Sequence, residues 1–547
     1  MVIPYIIKII LDFLGLKAPA SVLREYILFT VLLAIVAGFF SFFTRRTIIW
    51  MSRKVEYRLR GELFAHLLKL TPSFYHNTRT GEIMARATND LEAVRMMLGP
   101  GIMHMSNTIT ALIVALPLMI MLSPKLTLYA SIPILLLPPL IAKFSNLAYK
   151  RSVRIQEEFA ALTSAAQENL SGVRVVRAYG QENAEIENFQ VMSNRNVKAN
   201  MDMARVQAVF MPMVTAVAAL LNLTVLYFGG LEVMAGKISI GTLVAFFAYL
   251  SMMLWPLIAM GWVISLYQRG VASLERIDQI LGTKPDVEDG IGSGFTGPMR
   301  GKIEFRHLDF AYNGKKVLED IHLTIEPGET IGLVGQTGSG KTTLVSLLSR
   351  LFPVERGALF IDGVDVNDWN LKSLRRQMGV ATQEPFLFSD TVHENIAFGT
   401  DDITEGKVES AARTASLDKD VDDFPRGYET IIGERGITLS GGQKQRTAMA
   451  RAIITEPAVL ILDDATSSVD TATEDEINQR IKEVLKDRTS IIISHRVSSV
   501  KDADTIVYLR EGHIAEKGSH DELLALGGYY AELYRKQLLE RELEVIQ

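Results

Sequence analysis

Thr330–Leu351 reads TIGLVGQTGSGKTTLVSLLSRL, and it decides the fold of the second half of the chain. Thr330–Val334 (TIGLV) has the composition of a buried strand. Gly335–Thr342 (GQTGSGKT) satisfies G-x-x-x-x-G-K-[ST], and Thr343–Leu351 continues as a helix. A strand, a glycine-rich loop and a helix in that order let backbone N–H groups curl around phosphate oxygens, with the positive end of the helix behind them. Gly335, Gln336, Thr337, Gly338, Ser339 and Gly340 form the cradle, with Thr343 beside it. Lys341 is expected to reach the β- and γ-phosphates, and Thr342 to ligate Mg²⁺. Ala458–Asp463 (AVLILD) reads as a buried parallel strand ending in a carboxylate, the place expected for a Mg²⁺-holding Asp463. This half is an α/β nucleotide-binding domain of the P-loop class.

Upstream the chain changes character. Of 547 residues, 48% are hydrophobic and the net charge is only -5, which excludes a disordered chain. The charge is unevenly split: residues 1–300 carry 28 Lys+Arg against 20 Asp+Glu, the remainder 29 against 42. The absence of cysteine excludes a disulfide framework, a thiolate zinc site and cysteine catalysis. Uncharged runs fill the first half: Tyr26–Thr44, Met96–Pro124, Leu126–Ala142, Val206–Leu231 and Ile238–Gln268. A helix of about 20 apolar residues crosses the hydrocarbon layer, so each run predicts a span. Met1–Leu16 has no basic leader and no small-residue cleavage site, and reads as the outer end of a further span whose beginning is missing. The domains expected are a membrane domain over 1–283, a linker over 284–300 and a nucleotide-binding domain over 301–547. Gly270–Arg300, with Pro285, Pro298 and GIGSGFTG, marks the boundary region.

Lysine and arginine set the orientation. Arg45–Arg95 contains ten and Lys143–Lys198 eight, whereas the opposite connections hold Lys17 and Arg24, Lys125, and Lys237. The two basic stretches are therefore expected in the cytosol. From Leu126 the pattern stays helical to about Ser171, a rod of about 69 Å that outruns the bilayer core of about 30 Å. Arg45–Leu70 and Lys198–Arg205 read as similar extensions, interrupted at Thr71–Gly81 and Leu170–Gly180, which are either contact tips or ordinary helix connections. Met201, Met203, Met211, Met213, Met252, Met253 and Met260 could line an adaptable cavity, though lipid-facing or interhelical packing is the favoured reading. Asn107, Asn222 and Thr224 could bond across helices.

One further segment fixes the family. Leu439–Gln443 (LSGGQ), followed by Lys444, Gln445 and Arg446, resembles the signature of ATP-binding-cassette (ABC) transporters. The resemblance covers essentially the whole chain, membrane domain first and cassette second, as in exporter half-transporters. It implies that the ligands are ATP and Mg²⁺, that Tyr312 stacks on adenine, and that Gln383 joins Mg²⁺ to the membrane-domain contact. It implies that His495 is the switch histidine on the γ-phosphate. Gly433–Gly436 (GERG) resembles the crossing-loop motif of exporter cassettes, and Ser467–Asp470 (SSVD) the loop at the dimer seam. Two chains of this family pair head to tail, so Ser440, Gly441, Gly442 and Gln443 would serve the partner's ATP, and the two tips would carry coupling helices. The partners implied are a second half-transporter, membrane lipid and a small amphipathic substrate, with no nucleic acid. The location implied is a prokaryotic inner membrane with the cassette in the cytosol.

The chain departs from the pattern at Asp464, where the family has the glutamate that polarises the attacking water. Aspartate is one methylene shorter, and a misplacement of about 1 Å can cost on the order of 10²-fold in rate. The favoured reading is the degenerate-site half of a heterodimer. A homodimer using Asp464 as a slow catalytic carboxylate, and an ATP-gated membrane protein without coupled transport, stay open. Single cysteines introduced into this cysteine-free chain test the orientation: positions Asn77 and Glu182 should resist an impermeant thiol reagent in intact cells, while Lys237 should react. The reverse labelling would invert the topology.

Overall fold

A computed structural model describes residues 2–16, 19–289, 294–400, 403, 405–433, 439–469 and 471–546, without the side chains of residues 138, 405, 471, 472 and 540–546. The chain forms two compact units, Met1–Leu68 with Arg79–Thr283, and Lys69–Thr78 with Lys284–Gln547.

The first unit is helical. In chain order the helices are α1 (Ile3–Gly15), α2 (Ala20–Leu67), α3 (Pro72–Asn77, grouped with the second unit), α4 (Thr80–Leu122), α5 (Pro124–Ser171), α6 (Val173–Ala178), α7 (Glu182–Met234) and α8 (Ile240–Leu281). Five of them, α2, α4, α5, α7 and α8, are long and apolar enough to cross a membrane. With 48 and 53 residues, α5 and α7 extend for about 72 and 80 Å, more than twice a bilayer core. The tight turn between α4 and α5 is written locally. Ser123 accepts a hydrogen bond from the Leu126 amide at 3.3 Å, and Pro124 occupies the first helical turn, where no amide is needed. Ser239 caps α8 in the same way through the Thr242 amide at 3.0 Å. The apolar core of this unit joins Ala115 and Met119 of α4, Leu126 and Ala130 of α5, Leu221 and Val225 of α7, and Phe246, Tyr249, Leu250 and Met253 of α8.

Two expectations change here, the boundary and the bonds between spans. The boundary does not begin at Gly270, because α8 runs unbroken to Leu281. Gly270 breaks nothing; a Cβ there would lie 2.5 Å from Cβ of Met97, so glycine lets α4 and α8 cross closely. Asn222 and Thr224 do not bond across helices but donate to the carbonyls of Ala218 and Leu220 in their own helix, and Asn107 is exposed. A bond between spans comes instead from Thr108, whose hydroxyl donates to Pro256 O at 3.5 Å. Of the methionines, Met253 enters the core, whereas Met201, Met211, Met213, Met252 and Met260 are exposed on this chain. Within α4 the turns Arg86–Asp90 and Met97–Gly101 are π-helical, the second around Pro100, whose missing amide cannot complete a regular ladder. The first presents Asp90 to α8, where it accepts from Ser273 Oγ and Arg276 Nε, both at 2.9 Å.

The second unit is α/β. A four-stranded antiparallel sheet has the order β2 (Lys315–Ile325), β1 (Ile303–Tyr312), β4 (Leu359–Ile361), β5 (Val364–Asp365). A six-stranded sheet has the order β10 (His513–Gly518), β9 (Thr505–Arg510), β3 (Thr330–Gly335), β8 (Thr489–Ile493), β7 (Val459–Asp463), β6 (Met378–Ala381). All but the edge strand β10 run parallel. Val459–Asp463 is buried along its whole length, as a strand covered on both faces requires. Around the sheets lie the helices Lys341–Leu348, Gly441–Ile453, Thr471–Leu485 and Tyr529–Ile546.

The crossing of α4 and α8 is directly testable. Gly270→Leu should lower stability by about 1–3 kcal/mol, as overpacking does, read as a fall in Tm of the full chain in detergent. Met97→Ala in the same chain should recover most of that loss. An unchanged Tm for Gly270→Leu would show that the two helices do not pack closely here.

Candidate functional site

Three parallel strands end side by side. Leu333 of β3 and Asp463 of β7 both pair with Ile493 at the end of β8. Past the pairing, Asp464 N donates to Ile493 O at 2.9 Å and Ser494 N to Leu333 O at 3.3 Å. The glycine-rich loop, the two aspartates and the His495 segment therefore emerge at the carboxyl edge of the sheet, where open α/β sheets bind ligands.

The loop is shaped by backbone rules. Gly340 has φ 104°, and a Cβ on it would come within 2.6 Å of Leu318 Cδ2. It delivers the chain into the helix Lys341–Leu348. Lys341 is buried and donates from Nζ to Gly335 O and Gln336 O, both at 2.9 Å. Ser339 Oγ is buried and lacks a hydrogen-bond partner among the described residues. An ammonium folded onto loop carbonyls and an orphan hydroxyl, at the positive end of a helix, fit phosphate oxygens.

Burial lowers the Lys341 ammonium below the usual lysine range, opposed by the charges of Asp464 and Asp463. Burial likewise raises the Asp463 carboxyl. The Asp464 charge adds to that rise, while the Thr342 hydroxyl bond, Lys341 and His495 work against it. Two carboxylates and a hydroxyl at a buried strand end are short of positive charge, so Thr342 and Asp463 fit a Mg²⁺ ion.

Asp464 is buried and left-handed, with φ 52°, a conformation that aspartate tolerates better than most residues. Its Oδ1 accepts from His495 N at 3.3 Å, and its Oδ2 lies 3.6 Å from His495 Nε2. Gln445, also buried, donates to Asp464 O at 3.3 Å and Ser467 Oγ at 2.8 Å, and accepts from Ser468 N at 2.9 Å. That amide ties the helix after LSGGQ to the loop after Asp464. It was visible in the sequence only as a neighbour of the motif. Glu474 gave no signal at all, being one acid in a polar helix. It is 2% exposed and accepts from Arg496, Ser498 Oγ at 3.3 Å and Ser499 Oγ at 2.6 Å.

The remaining expected residues lie around this centre. Tyr312 stands edge-on to Phe310 and Phe352, at centroid distances of 4.8 and 5.1 Å, with its hydroxyl 3.4 Å from Thr343 Oγ1. Its ring is 37% exposed, which leaves surface for a flat base. Gln383 is exposed two residues beyond β6. Ser440 and Gln443 close a capping box on the helix Gly441–Ile453, and Gln443 also donates to Asp420 Oδ1 at 2.9 Å. Among the described residues no hydrogen bond joins Ser440–Gln443 to the P-loop. Of the GERG stretch only Gly433 is described, and Asp470 of SSVD lies outside the described residues.

Comparison with known proteins agrees with this geometry. The ABC transporter transmembrane region matches residues 1–257, and the ABC transporter domain matches residues 318–467. The chain is 39% identical to "Probable multidrug resistance ABC transporter ATP-binding/permease protein YheI" of Bacillus subtilis, over 91% of this chain and 86% of that protein. It is 35% identical to "Multidrug resistance-like ATP-binding protein MdlA" of Escherichia coli, over 94% and 87%. It is also 35% identical to the ATP-dependent lipid A-core flippase of Desulfotalea psychrophila, over 88% and 84%. A solved bacterial Atm1-family ABC exporter with ATP bound superposes with a TM-score of 0.79 at 26% identity, covering 98% of this chain and 94% of that one.

The strain at Asp463 has a pH signature. Its folded pKa is raised above the unfolded value, so the native state holds the proton more tightly and loses stability as pH rises through that window. Asp463→Asn should therefore raise the Tm of the nucleotide-free chain at neutral pH, with a gain that vanishes at acid pH, while weakening Mg²⁺-dependent ATP binding. A lower Tm at neutral pH would refute the burial argument.

Proposed function

The chain belongs to the ABC transporter family, in which ATP hydrolysis by the cassette is coupled to transport, and on that premise we propose that it is the degenerate-site half of a heterodimeric exporter of amphipathic molecules. The observation that carries the degenerate site is the placement of Asp464. A side chain one methylene shorter than glutamate is buried in a left-handed turn, and its carboxylate faces the His495 backbone and ring. A general base has to come within hydrogen-bond reach of its water, and this one is held back. The cargo class rests on relatives named for multidrug resistance and, in one case, as a lipid A-core flippase, a lipid being amphipathic. The exposed methionines of the membrane unit add adaptable apolar surface. Bacterial relatives support the inner membrane as the location.

In this reading the P-loop amides and Lys341 bind the β- and γ-phosphates, Tyr312 stacks on adenine, and His495 meets the γ-phosphate. Thr342 and Asp463, with Gln383, hold Mg²⁺. When bound, the ion neutralises charge on the phosphate oxygens. Ser440, Gly441, Gly442 and Gln443 complete the opposite, competent site of a partner that carries the glutamate. The 3.6 Å approach of Asp464 Oδ2 to His495 Nε2 favours a second reading, a homodimer in which that pair handles the proton.

ATPase assays of the lone chain and of the pair with a glutamate-bearing half separate the two. The lone chain should bind ATP, lose it on Lys341→Ala, and turn it over barely above background. In the pair, Asp464→Asn should lower transport by less than about tenfold, within about 1.4 kcal/mol of barrier, and Ser440→Ala by far more. Vigorous turnover by the lone chain, cut on the order of 10²-fold by Asp464→Asn, would establish the homodimer instead.

A further inference from the structure

Between β8 and the short helix Val497–Val500, residues 494–496 cross the site outside any strand or helix. The His495 ring is 40% exposed, and its direction is set by the Asp464 carboxylate 3.6 Å from Nε2 and by the backbone that carries it. That backbone is held from the front by Asp464, which accepts from His495 N at 3.3 Å. From behind it is held by one side chain distant in sequence. Gln537 donates from Nε2 to His495 O at 2.6 Å and accepts at Oε1 from Val497 N at 2.9 Å. A single primary amide thus uses both its donor and its acceptor on the backbone to either side of Arg496, in the manner of a strand partner.

The helix Tyr529–Ile546 is built to aim that amide. Glu516 accepts from the Tyr529 and Tyr530 amides at 2.6 and 3.0 Å, fixing the start of the helix. Tyr530 is fully buried, with Leu533 and Tyr534 packed against the same cluster, which includes Val334, Val497 and Val500. Residues 530, 533, 534 and 537 share one helical face, so the face that docks the helix also carries Gln537 to the switch segment.

We propose that Gln537 is a positioning residue for His495, through which the C-terminal helix sets the contact of the switch histidine with the γ-phosphate. The inference rests on the reading of His495 as that contact, and goes beyond it by making residues 529–546 part of nucleotide discrimination. ADP lacks the γ-phosphate, so the preference for ATP over ADP reports on the contact without requiring turnover at a degenerate site.

The test measures ATP and ADP affinity of the full chain by displacement of a fluorescent nucleotide, without Mg²⁺ so that nothing is hydrolysed. His495→Ala should cut the ATP-over-ADP preference by about tenfold, the scale of one lost charge-assisted hydrogen bond. Gln537→Met keeps length and helix propensity but loses both polar contacts, and should cut the preference by about threefold or more with ADP affinity unchanged. Gln537→Glu still accepts from Val497 N but sets a carboxylate against the His495 carbonyl, and should do at least as much harm. A folding defect would lower ADP and ATP affinity together and is separated in this way. If Gln537→Met and Gln537→Glu leave the preference intact while His495→Ala cuts it, the positioning role is overturned and the reading of His495 stands. If His495→Ala itself changes nothing, that reading falls, and the role of Gln537 falls with it.

Discussion

The concentration of buried charge at the ends of three parallel strands governs the rest of the cassette. The pairing of β3, β8 and β7 sets Lys341, Asp463 and Asp464 together inside the protein, where burial disfavours the charged forms of Lys341 and Asp463. An apolar core would avoid that cost. Here it is offset by the apolar core around the sheet, in which β7 is buried through its length. The same arrangement is receptive to a polyanion carrying its own cation, because the anion relieves the lysine and the cation relieves the aspartates. Binding and strain are two sides of one arrangement.

Around that centre, polar side chains take over where strand pairing stops. Gln445 links the helix of the LSGGQ motif to the loop of Ser467 and Ser468, and Arg496 links the switch segment to buried Glu474. Gln537 holds the far side of the switch. In a low-dielectric site such bonds hold loops in single conformations, and each is costly to leave half made. The residues proposed to meet nucleotide phosphate are thereby connected to elements that do not, a route by which a bound phosphate would bias a segment some distance from it.

In the membrane unit the governing constraint is solvent. Hydrocarbon offers no hydrogen bonds, so the spans are unbroken helices whose polar side chains turn back on their own carbonyls, as Asn222 and Thr224 do. At 48 and 53 residues α5 and α7 are longer than a bilayer core requires, and between α4 and α8 the bonds of Asp90 to Ser273 and Arg276 lie beside an apolar cluster of Leu91, Val94 and Ile277. Irregularity enters at the π turns of α4, at the prolines Pro117, Pro212 and Pro256 inside the helices, and at close crossings such as Gly270 on Met97.

Much of this was legible in the sequence because the physics involved is local. Uncharged runs mark spans, since a bilayer tests each helix by itself. GQTGSGKT marks a phosphate cradle, since eight consecutive residues make it. Asp463 and Asp464 stand out because a single apolar strand delivers them. The role of Gly270 was not legible for the complementary reason: a glycine that admits a neighbouring helix carries no mark until the neighbour, Met97, is in place. Glu474 with Arg496, and Gln537 with His495, are 22 and 42 residues apart and belong to no motif. The sequence by itself determined which segments cross a membrane, which loop cradles phosphate and where the unusual aspartate stands. Only the tertiary structure decided which distant side chains bond to the segments of that aspartate and of His495, because hydrogen bonds between remote segments exist only after the sheet has brought the strand ends together.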